Sequence, residues 1–372
     1  MIYFEPVTIE KKNGSSVASD QGIQVDNPKI ETIPIRTAVQ RLLDARNLPE
    51  VKKLFSVIWQ SNELHLMFAD TGIGKSILAV ALADSLSKGH SFIGLENDHD
   101  SLRVLYYDFE LSDRQFRKRY SDETGNEYNF SQNFFIDTID FADLMTKYPG
   151  RKLDSLLNQK LRQDIEDYKA QVLIIDNLTY LSGQSTQDTQ IALEVMRRLN
   201  EMKHQYDLSI LVLAHTPKRS MCTPITINDL AGSKHLSNFA DSVSAIGKSI
   251  KGKSIRYIKQ VKPSRSSEIL FDTDNVLCCE ISKHNTILTF DHLGFSPEKE
   301  HLNLDPVKQK NEQKEAASEL RRQGKSVREI ADQLGIPSTT IFRWIQTEVF
   351  HPEQMEQTEQ LEQNGTDGTA PF

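Results

Sequence analysis

The segment LHLMFADTGIGKSILAVALADSLS, residues 64–87, joins a continuous apolar run to a helical pattern through a glycine-rich turn. That order of strand, loop and helix is the context a phosphate-gripping loop needs. The loop itself is Ala69, Asp70, Thr71, Gly72, Ile73, Gly74, Lys75 and Ser76. Backbone N–H groups of Gly72, Ile73, Gly74 and Lys75 are expected to curl around a β-phosphate, with the helix N-terminus adding partial positive charge. Lys75 is expected to reach the β- and γ-oxygens, and the Ser76 hydroxyl to ligate Mg²⁺. Ala69 stands where glycine is more usual, and a small residue is tolerated there.

Outward from this segment, short apolar runs recur at RVLYYDF (103–109), QVLIIDN (171–177) and SILVLAH (209–215). Helical patterns such as QIALEVMRRLNEMKHQY (190–206) lie between most of them. Strands that are apolar throughout, alternating with helices, imply an α/β fold with a mostly parallel sheet covered on both faces. KSIRYIKQVK (253–262) and the segment 268–291 read instead as antiparallel edge strands. RTAVQRLLDARN (36–47) suits a short amphipathic helix.

The 372 residues are 38% hydrophobic and 26% charged, which is ordinary for a soluble globular protein. No apolar run approaches the roughly 20 residues that span a bilayer. The N-terminal MIYFEPVTIEKK lacks a secretory pattern, so no membrane partner and a cytoplasmic location are expected. The three cysteines, Cys222, Cys278 and Cys279, show no metal-binding spacing and are expected as free thiols. A net charge of −8 argues only weakly against nucleic acid, because local basic patches settle that question.

VLIIDN ends in Asp176, where a carboxylate can hold the Mg²⁺ water shell across the sheet from Ser76. Many ATPases follow this Asp with a catalytic Glu, whereas this chain has Asn177. An amide cannot act as a general base, so a carboxylate must come from elsewhere. YYDFELSD offers Glu110, with Asp108 as its rival.

With these motifs in place the chain resembles the RecA/DnaB superfamily, particularly RepA-like plasmid helicases and related RecA-like ATPases. The resemblance spans roughly residues 36–295 and continues through ELSDRQFRKR, with Ser112, Gln115 and Arg119 at a similar helix start. It implies a RecA-like P-loop domain that hydrolyses ATP with Mg²⁺, Glu110 activating the water. It further implies His215 as a γ-phosphate sensor, and a following loop whose Lys218, Arg219 and Lys234 touch DNA. YIKQVKPSRSSEI then carries Arg265 as a finger into a neighbouring subunit, with Lys259 and Lys262 beside it, so a homo-oligomer (a hexameric ring) is expected.

Residues 314–346, KEAASELRRQGKSVREIADQLGIPSTTIFRWIQ, imply three helices. Ser326 and Glu329 form a capping box, Gly335 supplies the tight turn, and Pro337 and Ser338 head the third helix. Val327, Ile330, Ala331, Leu334, Ile336, Ile341, Trp344 and Ile345 are expected as its core. The pattern is similar to the helix-turn-helix of resolvases, invertases and transposases. That likeness implies a DNA partner, with Ser338, Thr339 and Arg343 facing bases or phosphates and Lys325 and Arg328 on the backbone. Eight Lys/Arg against six Asp/Glu over 306–348 make this segment mildly basic within an acidic chain.

The expected organisation is a flexible arm (1–35), a RecA-like ATPase domain (36–295) and a linker (296–310). The helix-turn-helix module (311–347) and a disordered acidic tail (348–372) follow. The leading expectation is a DNA-associated helicase or translocase for replication or mobilisation of a mobile element. The alternative is an ATP-dependent DNA-binding switch in transcription or transposition without helicase activity; strand exchange ranks last.

Overall fold

The computed structural model describes residues 35–178, 189–216, 219–230, 233–264, 268–303 and 306–349. The chain divides into two units, residues 1–50 and 51–372. In the first, helix α1 (Ala38–Ala45) begins where Thr37 Oγ1 accepts from Gln40 N at 3.1 Å. The expected N-terminal arm falls on residues 1–34, which lie outside the described residues.

In the second unit, a short ribbon pairs β1 (Lys53–Phe55) with β2 (Trp59–Gln60). The main sheet, among the described residues, has nine strands. They are β3 (Leu64–Ala69), β4 (Val104–Asp108), β5 (Phe134–Asp137), β6 (Val172–Asp176), β7 (Ser209–His215), β8 (Ser242–Lys248), β9 (Ile255–Lys262), β10 (Val276–His284) and β11 (Ile287–Ser296). Their order is β11-β10-β9-β8-β3-β7-β6-β4-β5. The six from β8 to β5 are parallel and the β9–β11 end is antiparallel. The α/β fold and its mostly parallel sheet thus match the sequence expectation, and the four apolar runs are β3, β4, β6 and β7.

The strands β3, β4, β6 and β7 are buried on both faces, which is why they read as apolar runs. One face packs on α2 (Lys75–Lys88), whose Leu78, Val80, Leu82 and Leu86 are buried. The other packs on α5 (Leu153–Tyr168) and α6 (Thr189–Tyr206), through Leu157, Leu161, Met196 and Leu199.

A small polar cluster sits inside this apolar slab. His65 on β3 is fully buried, and its ring nitrogens meet Ser242 Oγ and Ser244 Oγ of β8, each at 2.8 Å. Burial pushes its pKa down to about 3. Because the folded pKa lies below the unfolded value, the contribution is fully present above about pH 6.5. It is lost as pH falls toward 3, at about 1.4 kcal/mol per unit. From pH 7 to 5 wild type is therefore expected to lose about 2 kcal/mol that His65→Gln does not. Urea unfolding of both proteins at the two pH values measures this; an identical pH dependence excludes the assignment.

The expected linker is not one continuous connector. Ser296 closes β11, and a 3-10 turn follows at Glu298–His301, with both of those residues buried. Glu298 pairs with Lys259 at 2.5 Å and accepts from Ile225 N at 2.7 Å and Tyr257 OH at 3.2 Å. Removing either partner of that ion pair would strand a buried charge, at roughly 3–5 kcal/mol.

The three C-terminal helices are α8 (Pro306–Arg322), α9 (Val327–Leu334) and α10 (Ser338–Val349). The first starts five residues before the expected module boundary at residue 311. Ala317, Leu320, Ile330, Ala331 and Ile341 form their small core, with Val327, Leu334, Ile336, Trp344 and Ile345 packed around it. The capping box is present: Ser326 N donates to Glu329 Oε2 at 2.8 Å and Glu329 N to Ser326 Oγ at 3.3 Å. The expected acidic tail beyond residue 349 lies outside the described residues. Among those described, no helix is long and apolar enough to cross a membrane.

Candidate functional site

Parallel strands raise all their C-terminal ends to one edge of the sheet, and the chemistry-bearing residues gather there. The loop Ala69–Ser76 leaves β3; Glu110 follows β4, Asn177 follows β6 and His215 ends β7. β7 lies between β3 and β6, so His215 stands midway between Lys75 and Asn177.

Gly74 caps α2 with φ of 111°, a conformation side chains avoid. A Cβ there would also lie 2.8 Å from Ile281 Cδ1, so the loop rests directly on the β10–β11 hairpin. The buried Arg256 ties the same loop to β9, donating from Nε to Ile73 O at 2.7 Å.

Lys75 is 6% exposed and folded inward. Its Nζ donates to Ala69 O at 2.9 Å and Asp70 O at 3.2 Å, and lies 3.0 Å from His215 Nδ1. Burial pulls its pKa below the ordinary value, against the opposing charges of Asp176, Glu110 and Asp70. The other ring nitrogen of His215 is 3.0 Å from Glu110 Oε1, which also accepts from Asn177 Nδ2. These contacts hold the Glu110 carboxyl below the usual range, with the His215 hydrogen bond the leading cause.

Asp176 is fully buried, and burial pushes its pKa up to about 6 while the neighbouring Ser76 and Tyr106 hydroxyls oppose the shift. Tyr106 OH donates to its Oδ2 at 2.7 Å, whereas among the described residues Oδ1 has no hydrogen-bond partner. A buried oxygen left bare beside a hydroxyl, under the phosphate loop, fits a hard cation and its water shell. Ser76 and Asp176 are the residues that could hold Mg²⁺.

Asp108, the rival to Glu110, is 2% exposed and accepts from Glu110 N and Leu111 N, both at 2.9 Å. It shapes the turn that presents Glu110, whose side chain is 33% exposed. Ser112 and Gln115 form a capping box at the start of α3 (Asp113–Arg119). Both are thereby accounted for structurally.

Other expected contacts fall elsewhere. Arg219 turns inward: it donates to Thr223 O and lies 3.6 Å from Asp229, with its side chain 9% exposed, so it does not present a surface for DNA. Lys259 is held by Glu298, and Lys262 donates to Ser237 O at 2.7 Å and Ala240 O at 2.6 Å. Neither extends as support for a finger. Lys218, the side chain of Lys234, and Arg265 lie outside the described residues. On the C-terminal module Arg328, Ser338, Thr339 and Arg343 are exposed. Lys325 is half-buried, its ammonium donating to Gln333.

One feature had no signal in the sequence. Glu312 of α8 accepts from Met221 N at 3.2 Å, Cys222 Sγ at 2.9 Å and Ser220 Oγ at 3.5 Å. The helix-turn-helix is thereby docked on the segment that follows His215. A cleft of about 510 Å³ opens between them, with Asp70, Thr71 and Thr216 on one wall and Glu312 and Glu315 on the other.

The sheet and the loop at its edge define a P-loop nucleoside triphosphatase. Residues 31–221, just over half of the chain, match the AAA domain family, and the chain belongs to that family. It is a nucleotide-binding ATP hydrolase. Residues 309–348 match the homeodomain-like domain. Among solved structures, a KaiC-like protein from the hyperthermophilic archaeon Pyrococcus horikoshii is similar over 62% of this chain and 90% of its own. The two are 12% identical, with a TM-score of 0.40. None of the curated proteins compared with the chain matches it.

Proposed function

We propose that the chain is a DNA-associated motor ATPase, a ring-forming helicase or translocase that replicates or mobilises a mobile element. ATP sits on Ala69–Ser76, with Mg²⁺ held by Ser76 and Asp176. Glu110 orients the attacking water, and His215 reports the γ-phosphate to the segment behind it. The observation that carries this reading is the continuous contact Lys75–His215–Glu110 along one sheet edge. It links the group that grips phosphate to the group that activates water.

Arg265 completes the site from a neighbouring subunit in this reading, which makes an isolated monomer nearly inactive. Strand direction supports a role in trans. Lys262, three residues before Arg265, pairs with Val243 near the start of β8, at the end of the sheet away from the phosphate loop. The exposed Arg328, Ser338, Thr339 and Arg343 contact DNA and recruit the motor to a site.

The docking of Glu312 favours a second reading, an ATP-dependent DNA-binding switch without strand separation. ATPase assays with and without single-stranded DNA, and unwinding of a forked duplex, compare wild type with Lys75→Ala. Stimulation with unwinding that Lys75→Ala abolishes supports the motor. Duplex binding that changes with ATP, without unwinding, supports the switch. Failure to bind nucleotide removes both.

A further inference from the structure

We propose that Asn177 is a positioning residue that keeps the Glu110 carboxylate aimed during turnover. This rests on the reading of Glu110 as the water-activating base. Asn177 is 1% exposed and follows directly on Asp176. The backbone at this point is shared between the two strands, since Asp108 pairs with Asp176 and Phe109 N donates to Asp176 O at 2.8 Å. The amide of one strand therefore stands level with the carboxylate of the other.

Proton accounting fixes the amide's orientation. Lys75 is an ammonium and donates to His215 Nδ1, so that nitrogen is bare and the ring proton is on Nε2. Nε2–H then donates to Glu110 Oε1 at 3.0 Å. Asn177 Nδ2 donates to the same oxygen. The 2.8 Å approach of Asn177 Nδ2 to His215 Nε2 is thus two donors converging on one acceptor. A flipped amide would set its carbonyl against the carboxylate. Among the described residues no protein group bonds to Oε2, which leaves that oxygen to take a water.

The two donors on Oε1 differ in permanence. Lys75 must leave His215 Nδ1 to reach a phosphate, and the ring then loses the partner that fixed its tautomer. His215 is one-quarter exposed at its side chain and is free to turn toward the γ-phosphate. Asn177 is enclosed just past the end of β6 and stays. When His215 leaves, the Asn177 amide alone keeps Glu110 from swinging.

Steady-state ATP turnover of the full chain tests this, together with affinity for a non-hydrolysable ATP analogue. Asn177→Ala is expected to lower kcat roughly 10- to 100-fold, the effect of losing one hydrogen bond to a charged group. KM and analogue affinity are expected to stay within about threefold. Asn177→Asp keeps the shape but sets a carboxylate against a carboxylate, so it is expected to fall at least as far as Asn177→Ala. A space-filling role gives the opposite ranking. On a Glu110→Gln background, Asn177→Ala is expected to cost nothing more, because it acts through Glu110. An equal further loss on that background overturns the proposal, as does unchanged kcat in Asn177→Ala. Wild-type turnover in Glu110→Gln alone overturns the underlying reading of Glu110 instead.

Discussion

Lys75→Ala is expected to lower ATP turnover by at least roughly 10²–10³, the cost of deleting one preorganised electrostatic contact to developing charge. The loss arises in two places. The ammonium that would neutralise the β- and γ-oxygens is gone, so triphosphate affinity falls. The path from phosphate to His215 and Glu110 is cut as well, because Lys75 is the group that touches His215 Nδ1. The fold is expected to survive: among the described residues Lys75 bonds only to Ala69 O, Asp70 O and His215, and burial already opposes its charge. Titration with a fluorescent ATP analogue, run beside a urea unfolding curve, checks both statements. A cooperative fold with wild-type nucleotide affinity would exclude Lys75 from phosphate binding.

How much of this was legible in the sequence depends on whether a residue's role is local. The loop Ala69–Ser76 and the strands bearing Asp108, Asp176 and His215 are local patterns, an apolar run followed by a polar group at its end, and the structure has them at the expected places. β8 escaped notice for a physical reason. SVSAIGK turns Ser242 and Ser244 inward to meet His65, so a central strand reads as a polar segment. Glu298 misled similarly, since a charge in a proline-containing stretch reads as solvated linker unless Lys259 is known to oppose it. Arg219 reads as a basic loop residue, and only the fold brings Asp229 and Thr223 O around it. Asn177 could be seen to be unfit as a base. Its donation to Glu110 depends on strand order, β6 beside β4, which no single segment encodes. The docking of Glu312 spans about ninety residues of sequence and has no local pattern at all.

Glu110→Gln is expected to lower kcat roughly 10²–10⁴-fold, the range that general-base catalysis supplies, with nucleotide affinity retained. The substitution keeps the shape and the hydrogen bonds while removing the only capacity that matters, proton acceptance. The carboxylate suits that task because His215 foremost, then Lys75 and Asn177, hold its pKa below the ordinary range; it is therefore ionised throughout neutral pH. Asp108→Asn separates the two acids. Asp108 accepts two backbone N–H groups of the turn, so weakening those bonds is expected to cost about 1–3 kcal/mol of stability. Glu110 is partly exposed and carries no comparable structural burden, so Glu110→Gln leaves the unfolding midpoint nearly unchanged. Single-turnover hydrolysis and urea unfolding of the two variants give the comparison directly. A stable, inactive Asp108→Asn beside an active Glu110→Gln would transfer the base to Asp108. In that case the contact from Lys75 through His215 to Glu110 would be a structural tie, and the sensing of phosphate would require another route.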